Sequence, residues 1–318
     1  MIRLKKITGF SQFSAVSIIR GKINEKVFLE GTGIKKSIDI SEIHSPLCLY
    51  PLIIGVIINP EVISIKKNFI IKIFNDKLSS NRENKTKTDL LAKINLTHID
   101  FIELGNNLGI LLLKINKSHL YQPGFLERYR YTIFLYLHFL RMKKKKSFSF
   151  LNNLTAIYFY PRKTILNIIK TTSHYNIFPM DFICESLNEE VVLLGLNSQN
   201  RSIDEIINTK KMLIIEVDSM SKDIVYGFAG NHKEEMLKPE YGADNKYVSE
   251  KFQFPFPHFT VSYKEISCRK HLKLGSHFLL ICDVINKTEL TRKISLLYHI
   301  SSVRQLYHTN HCQLYPIV

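Results

Sequence analysis

The chain has 318 residues, 45% of them hydrophobic and 11% aromatic, which is enough apolar side chain to fill a core and excludes disorder as its whole state. Its formal net charge is +16, but residues 1–146 hold 25 Lys/Arg against 11 Asp/Glu and residues 147–318 hold 19 against 17, so the excess belongs to the N-terminal half. Such a surface suits nucleic acid or an acidic partner, and it also arises as a plain solvated surface in a Lys-rich chain; no spaced aromatic–basic motif accompanies it.

Met1 to Gly21 has basic residues without a long apolar run, so it does not read as a secretion signal. Residues 1–120 read as β-rich. The runs Ser14–Ile19, Leu47–Ile58, Phe69–Phe74 and Gly109–Ile115 are rich in Ile, Val and Leu and are separated by Gly, Asn, Asp and Pro. Pro46 to Ile58, the most apolar stretch, is too short to span a bilayer, and no membrane span is expected. Lys77 to Lys87 is polar and predicts an exposed loop. Phe125 to Met142 predicts an amphipathic helix with Phe125, Tyr129, Ile133, Leu137 and Leu140 on one face. It ends in the basic run Lys143–Lys146, cations that suit a helix C-terminus. The charge shift there predicts two domains: residues 1–146, a basic β-rich region of unknown family ending in a helix, and residues 147–318.

In the second half Leu154–Tyr160, Thr164–Ile169, Ile177–Cys184, Val191–Leu196, Met212–Val217, Phe259–Ile266 and His277–Ile285 read as strands. Ile203–Thr209, with Ser202 as N-cap, and Ser221–Phe228 read as short helices. Many short strands with a few single helices predict a mainly β (α+β) barrel. No G-x-G-x-x-G or Walker A sequence is present. The five cysteines form no C-x-x-C pair and are odd in number, which argues against a disulfide framework or zinc ribbon and for reduced thiols in a cytoplasmic protein. The histidines show no metal-ligand spacing, so no metal is expected.

Four segments of this half fit one purpose. Tyr175-Asn176-Ile177-Phe178-Pro179 offers an amide and backbone groups at a fixed bend. Leu196-Asn197-Ser198-Gln199-Asn200-Arg201-Ser202 leaves a strand and opens a helix, with hydroxyls, amides and an Arg suited to phosphate. Phe228-Ala229-Gly230-Asn231-His232-Lys233 is a Gly-containing loop suited to an anion or a ring edge. Gly275-Ser276-His277 is a tight turn into a buried strand. In order and spacing these segments resemble the flavin reductase-like family with the FMN-binding split β-barrel, over about 155 residues. Asn200-Arg201-Ser202 stands where that family often has Asp-Thr after a basic residue. The resemblance implies bound FMN held by Asn176, Ile177, Phe178, Leu196, Asn197, Ser198, Asn200, Arg201, Ser202, Gly230, Asn231, His232 and Lys233. It implies NADH or NADPH as electron donor, flavin, iron or a partner protein as acceptor, and a homodimer. No protein acid or base is required, so no catalytic residue is assigned. Asp181 reads as a structural hydrogen-bonding residue, His277 as a holder of its turn, and Tyr298 and His299 as possible neighbours of the nicotinamide. One alternative is a non-catalytic flavin-binding or interaction module whose basic half docks an anionic partner; another reading takes the N-terminal half as a degenerate second barrel-like unit or a β-rich extension packed on the first.

Overall fold

A computed structural model describes residues 13–31, 34, 36–63, 67–75, 89–105, 107–122, 124–141, 146–170, 175–232, 247–291, 295–309 and 315–318. The loop expected at Lys77–Lys87 and the basic run 143–145 lie outside these residues.

Period-two burial marks the first strands. In β2 (Glu25–Gly31), Val27 and Leu29 are buried while Lys26 and Phe28 are half-buried, as a pleated strand with one covered face requires. Around it lie β1 (Phe13–Ile19), β3 (Ile38–Asp39), β4 (His44–Leu49), β5 (Leu52–Ile58), β6 (Asn68–Asn75), β7 (Leu90–Gly105) and β8 (Leu108–Leu120). Strands β2 to β8 make one antiparallel sheet in the order β3-β2-β6-β7-β8-β5-β4. Two helices follow, α1 (Phe125–Arg141) and α2 (Phe148–Ile157), which pack on each other and, through α2, on β7 and β8.

The second half contains β9 (Arg162–Lys163), β10 (Ile165–Lys170), β11 (Tyr175–Met180), β12 (Ile183–Glu185) and β13 (Val191–Asn197). Helix α3 (Ser202–Thr209), β14 (Lys211–Val217) and α4 (Lys222–Gly227) come next, then β15 (Thr260–Leu274), β16 (His277–Glu289), β17 (Ser295–Ser301) and α5 (Ser302–Thr309). Strands β10 to β16 make a second antiparallel sheet in the order β11-β10-β14-β15-β16-β13-β12. A third, small sheet has the order β1-β17-β9, so the two ends of the chain pair with each other. The protein is mainly β with a few short helices. No helix among the described residues is long and apolar enough to cross a membrane.

The two large sheets share a core. One buried cluster runs from Val27, Leu47 and Ile110 through Leu151 and Phe159 to Leu193, Leu279 and Ile281. The glycine at position 195 lets the sheets approach. A Cβ there would lie 2.5 Å from the Leu47 carbonyl oxygen and 2.8 Å from its Cα, so β13 and β4 touch through backbone.

Several elements differ from the sequence reading. The apolar run Leu47–Ile58 is the hairpin β4–β5, turning at Tyr50–Pro51; an apolar run buried on both faces hides its own turn. Leu154–Ile157 is helical, the end of α2, which starts at the Ser147 cap whose Oγ accepts the Phe150 N–H at 3.2 Å. Apolar runs of this length satisfy either period. The break at Asp181–Phe182 divides Ile177–Cys184 between β11 and β12. Helix α1 buries Tyr131, Phe134, Leu135 and Phe139 and leaves Phe125, Tyr129, Leu137 and Leu140 exposed. Both of its faces are apolar, and packing against α2 selects the other one.

Candidate functional site

Strand β13 ends at Asn197, and the chain turns at once. The Asn197 side-chain oxygen accepts the Gln199 N–H at 2.9 Å, a turn that Asn makes readily. Asn200 then accepts the Ser202 N–H at 2.9 Å. Ser202 is therefore inside α3 and not its cap; Arg201 stands at the cap position without a capping side-chain bond. Asn197, Ser198 and Arg201 are exposed, and Asn200 and Ser202 are buried. Asp204 and Glu205 fill the first turn of α3, so Arg201 is the cation of this loop.

The buried Ser202 hydroxyl meets Asn176. The Asn176 amide donates to Ser202 Oγ at 2.5 Å and to the Asn231 carbonyl at 3.1 Å. Asn231, in the 3-10 turn Phe228–His232, returns a bond from its own amide to the Ile177 carbonyl at 2.9 Å. On the other side of the loop, the Ser198 N–H donates to the Ser276 carbonyl at 3.0 Å. All four segments singled out in the sequence thus join in neighbouring hydrogen bonds. Asn176 is 4% exposed and its side-chain oxygen has no partner among the described residues, an orphan of a kind that costs free energy unless something donates to it. Among the described residues, nothing lies within 4 Å of a Cβ placed at the exposed Gly227 or Gly230.

The side chains of Ile177, Phe178 and Leu196 point into core clusters. Gly230 lies on the exposed side of the 3-10 turn. His232 ends that turn, and Lys233 lies outside the described residues. The Gly275–His277 turn clasps the other half of the molecule. The Ser276 N–H donates to the Tyr50 carbonyl at 2.8 Å, and Ser276 Oγ accepts the Tyr50 N–H at 3.0 Å. His277 Nδ1 lies 2.8 Å from Ser276 Oγ, and burial lowers its pKa to about 4.

A cavity of about 340 Å³ lies elsewhere, between the halves, and none of the residues assigned to FMN lines it. Its wall is a closed ionic net. Lys163 is 2.6 Å from Glu216, Arg20 is 2.5 Å from Glu216, and Lys264 is 2.8 Å from both Glu185 and Glu189. Burial would raise the Glu216 pKa, but the Lys163 charge and hydrogen bond, with Arg20, bring it down to about 2. These charges already satisfy one another.

Asp181, on the rim of the same cavity, starts a relay. Its Oδ2 is 3.0 Å from His299 Nδ1, and His299 Nε2 is 2.6 Å from the Tyr226 hydroxyl. Burial, then the Asp181 charge, pushes the Tyr226 pKa upward. In sequence Asp181 and His299 were noted separately; their pairing across 118 positions and the part of Tyr226 carry no local signal.

Beneath the cavity the Arg162 guanidinium donates to the His44 carbonyl at 3.3 Å and lies 3.3 Å from His44 Nε2. Burial, then the Arg162 charge, lowers the His44 pKa to about 3. His44 is therefore neutral in the folded protein, while in the unfolded chain it titrates near the usual ~6.5. Its contribution is full above that value and is lost as pH falls toward 3. Between pH 7.5 and pH 5 urea denaturation should show a loss of about 2 kcal/mol from this group, with His277 adding in the same direction. His44→Asn should flatten the slope, and a slope unchanged in that variant would contradict the assignment.

No family model and no curated protein matches the chain. Among solved structures it is similar to the FMN-binding protein from Thermus thermophilus at 12% identity and a TM-score of 0.40, over 46% of this chain and 89% of that one. It is similar to an NADH:FAD oxidoreductase of Streptomyces globisporus at 13% identity and a TM-score of 0.41, over 46% and 87%. With the styrene monooxygenase flavin reductase of Pseudomonas putida S12 the values are 12%, a TM-score of 0.38, and 48% and 94%.

Proposed function

We propose that the protein is an FMN-binding oxidoreductase of the flavin reductase type, with the cofactor on the domain of residues 147–318 and the cytoplasm as its compartment. The observation that carries this reading is the convergence of Asn176, Ser202, Asn231 and the Ser198–Ser276 contact, four segments distant in sequence, at one polar cluster. The residues present fit a flavin. The unpartnered oxygen of Asn176 is an acceptor of the kind a ring imide N–H needs. Asn197, Ser198 and Arg201, exposed on one turn, offer donors for a phosphate. Once bound, the flavin would supply the hydride chemistry, with NADH or NADPH as donor and free flavin, iron or a partner protein as acceptor.

The chain's own residues bind and orient. Arg201 would neutralise phosphate charge, Asn176 would set the ring's edge, and the Phe228–His232 turn would shield one side from water. No side chain needs to exchange a proton for the transfer itself. Titration of the purified protein with FMN, followed by flavin fluorescence, tests the reading. Arg201→Ala should weaken binding by ~1–3 kcal/mol, the scale of a lost charge-assisted hydrogen bond. Anaerobic oxidation of NADH or NADPH with an added acceptor tests turnover. Absence of FMN uptake would end the reading, and uptake without turnover would reduce it to a flavin-binding module.

A further inference from the structure

The two large sheets are alike beyond their strand order. In the β7–β8 hairpin, Asn95 pairs with Lys117, Leu96 with Ile115, His98 with Leu113 and Asp100 with Leu112. In the β15–β16 hairpin, Glu265 pairs with Asn286, Ile266 with Val284, Cys268 with Cys282 and Lys270 with Ile281. One shift, 170 residues on the first strand and 169 on the second, converts every pair of the first set into its counterpart. Two of the three register irregularities of the first hairpin follow the same shift: Asn95/Leu96 matches Glu265/Ile266, and His98/Asp100 matches Cys268/Lys270, while Glu103/Gly105 at the hairpin tip has no counterpart. On the neighbouring strand the irregularity at Ile73/Phe74 has its counterpart at Glu216/Val217. Such bulge-like irregularities are placed features that related sheets keep.

Smaller details agree. Strand β5 maps on β13 with a shift of 138. Asn59 then falls on Asn197, and each accepts the N–H two residues on, Glu61 at 2.8 Å and Gln199 at 2.9 Å. The Ile57 N–H donates to the Ile43 carbonyl at 2.9 Å, as the Gly195 N–H donates to that of Phe182 at 2.9 Å. The contact between the copies is reciprocal: β4 lies on its own counterpart β12, β4 lies on β13, and β5 lies on β12. That is the pattern of a two-fold interface, in which one patch meets itself.

The copies differ where the polar cluster is built. After β5 there is, among the described residues, a single 3-10 turn, Pro60–Val62, where the second copy has α3 with Ser202. Strands β6 and β7 are joined by residues 76–89, whereas β14 and β15 are joined by residues 218–259, which carry α4 and the turn bearing Asn231. Both partners of Asn176 thus stand on segments without a counterpart among the described residues of the first copy.

We infer that the chain is an internal pseudo-dimer: two copies of one sheet unit, of which the N-terminal copy serves as the built-in partner and the C-terminal copy alone carries a ligand site. The surface on which a second chain would dock is occupied from within, so the working unit is one chain with one site. The docking part rests on the duplicated fold alone; the single-site part rests on the flavin reading.

Sedimentation equilibrium of the full chain, with an FMN titration on the same sample, tests both. The expected result is a mass of about 37 kDa, that of one chain, at all concentrations up to 100-fold dilution, with one FMN per chain. A stable mass of twice that value would overturn the inference whatever the flavin does. Two FMN per chain would overturn the single-site part. A single-chain mass with no FMN uptake would support the pseudo-dimer and overturn the flavin reading instead.

Discussion

Glu25→Ala should cost about 3–5 kcal/mol of stability, the scale of a broken buried ion pair. Glu25 opens β2 in the first sheet, and Arg304 lies in α5 near the end of the chain; both side chains are fully buried and 3.1 Å apart. The Tyr315 hydroxyl donates to the other oxygen of Glu25 at 2.6 Å. One carboxylate therefore fastens two points of the C-terminal segment to the N-terminal sheet. The loss comes less from the pair's own attraction than from the guanidinium left in a site without water. Three variants separate these effects in urea denaturation. Glu25→Gln keeps one acceptor oxygen, enough for Arg304, and turns a donor N–H toward the Tyr315 hydroxyl, so it should lose less than Glu25→Ala. The double variant Glu25→Leu/Arg304→Met removes both charges and should recover much of the loss. Stability of Glu25→Ala within about 0.5 kcal/mol of the parent would show that the pair does not fasten the ends.

What the sequence conveyed follows the same physics. Strands β10, β13 and β14 were legible because each is a short apolar run between turn residues. The duplication was legible only as one of two alternatives for the N-terminal half, a degenerate second barrel-like unit or a β-rich extension, because a shared backbone does not require shared side chains. Leu90 corresponds to Thr260, His98 to Cys268 and Phe101 to His271, and nothing in those pairs shows that they hold the same places. The polar segments at Asn176, Asn197–Ser202, Gly230–Asn231 and Gly275–His277 were legible because Asn, Ser and Gly stand where a chain of Ile and Leu would otherwise run on. Their mutual contacts were not, and neither was the Asp181–His299–Tyr226 relay, since each bond joins residues far apart in the chain. The excess positive charge has no structural assignment for a further reason: Arg3, Lys77, Arg82, Lys143 and Lys144 all lie outside the described residues.

Gly195→Val should lower stability by about 3 kcal/mol, the upper range for forcing atoms into a filled interior. The position is the seam of the pseudo-dimer. The first added carbon would lie 2.5, 2.8 and 2.9 Å from the carbonyl oxygen, Cα and carbonyl carbon of Leu47. All three are backbone atoms, so no rotamer change relieves the contact. Strand β4 cannot recede easily, because β5 holds one edge and the Tyr50–Ser276 bonds hold its end. The two sheets would have to part, and the shared core from Leu47 to Leu193 and Ile281 would loosen with them. Gly227→Ala is the matched control. Nothing lies within 4 Å of its added carbon and its φ is ordinary, so it should be neutral or gain a few tenths of a kcal/mol by restricting the unfolded chain. Thermal unfolding of the two variants side by side decides the matter. A Gly195→Val protein as stable as the parent would mean that β13 and β4 do not meet there, and the reciprocal interface on which the pseudo-dimer depends would fall with that contact.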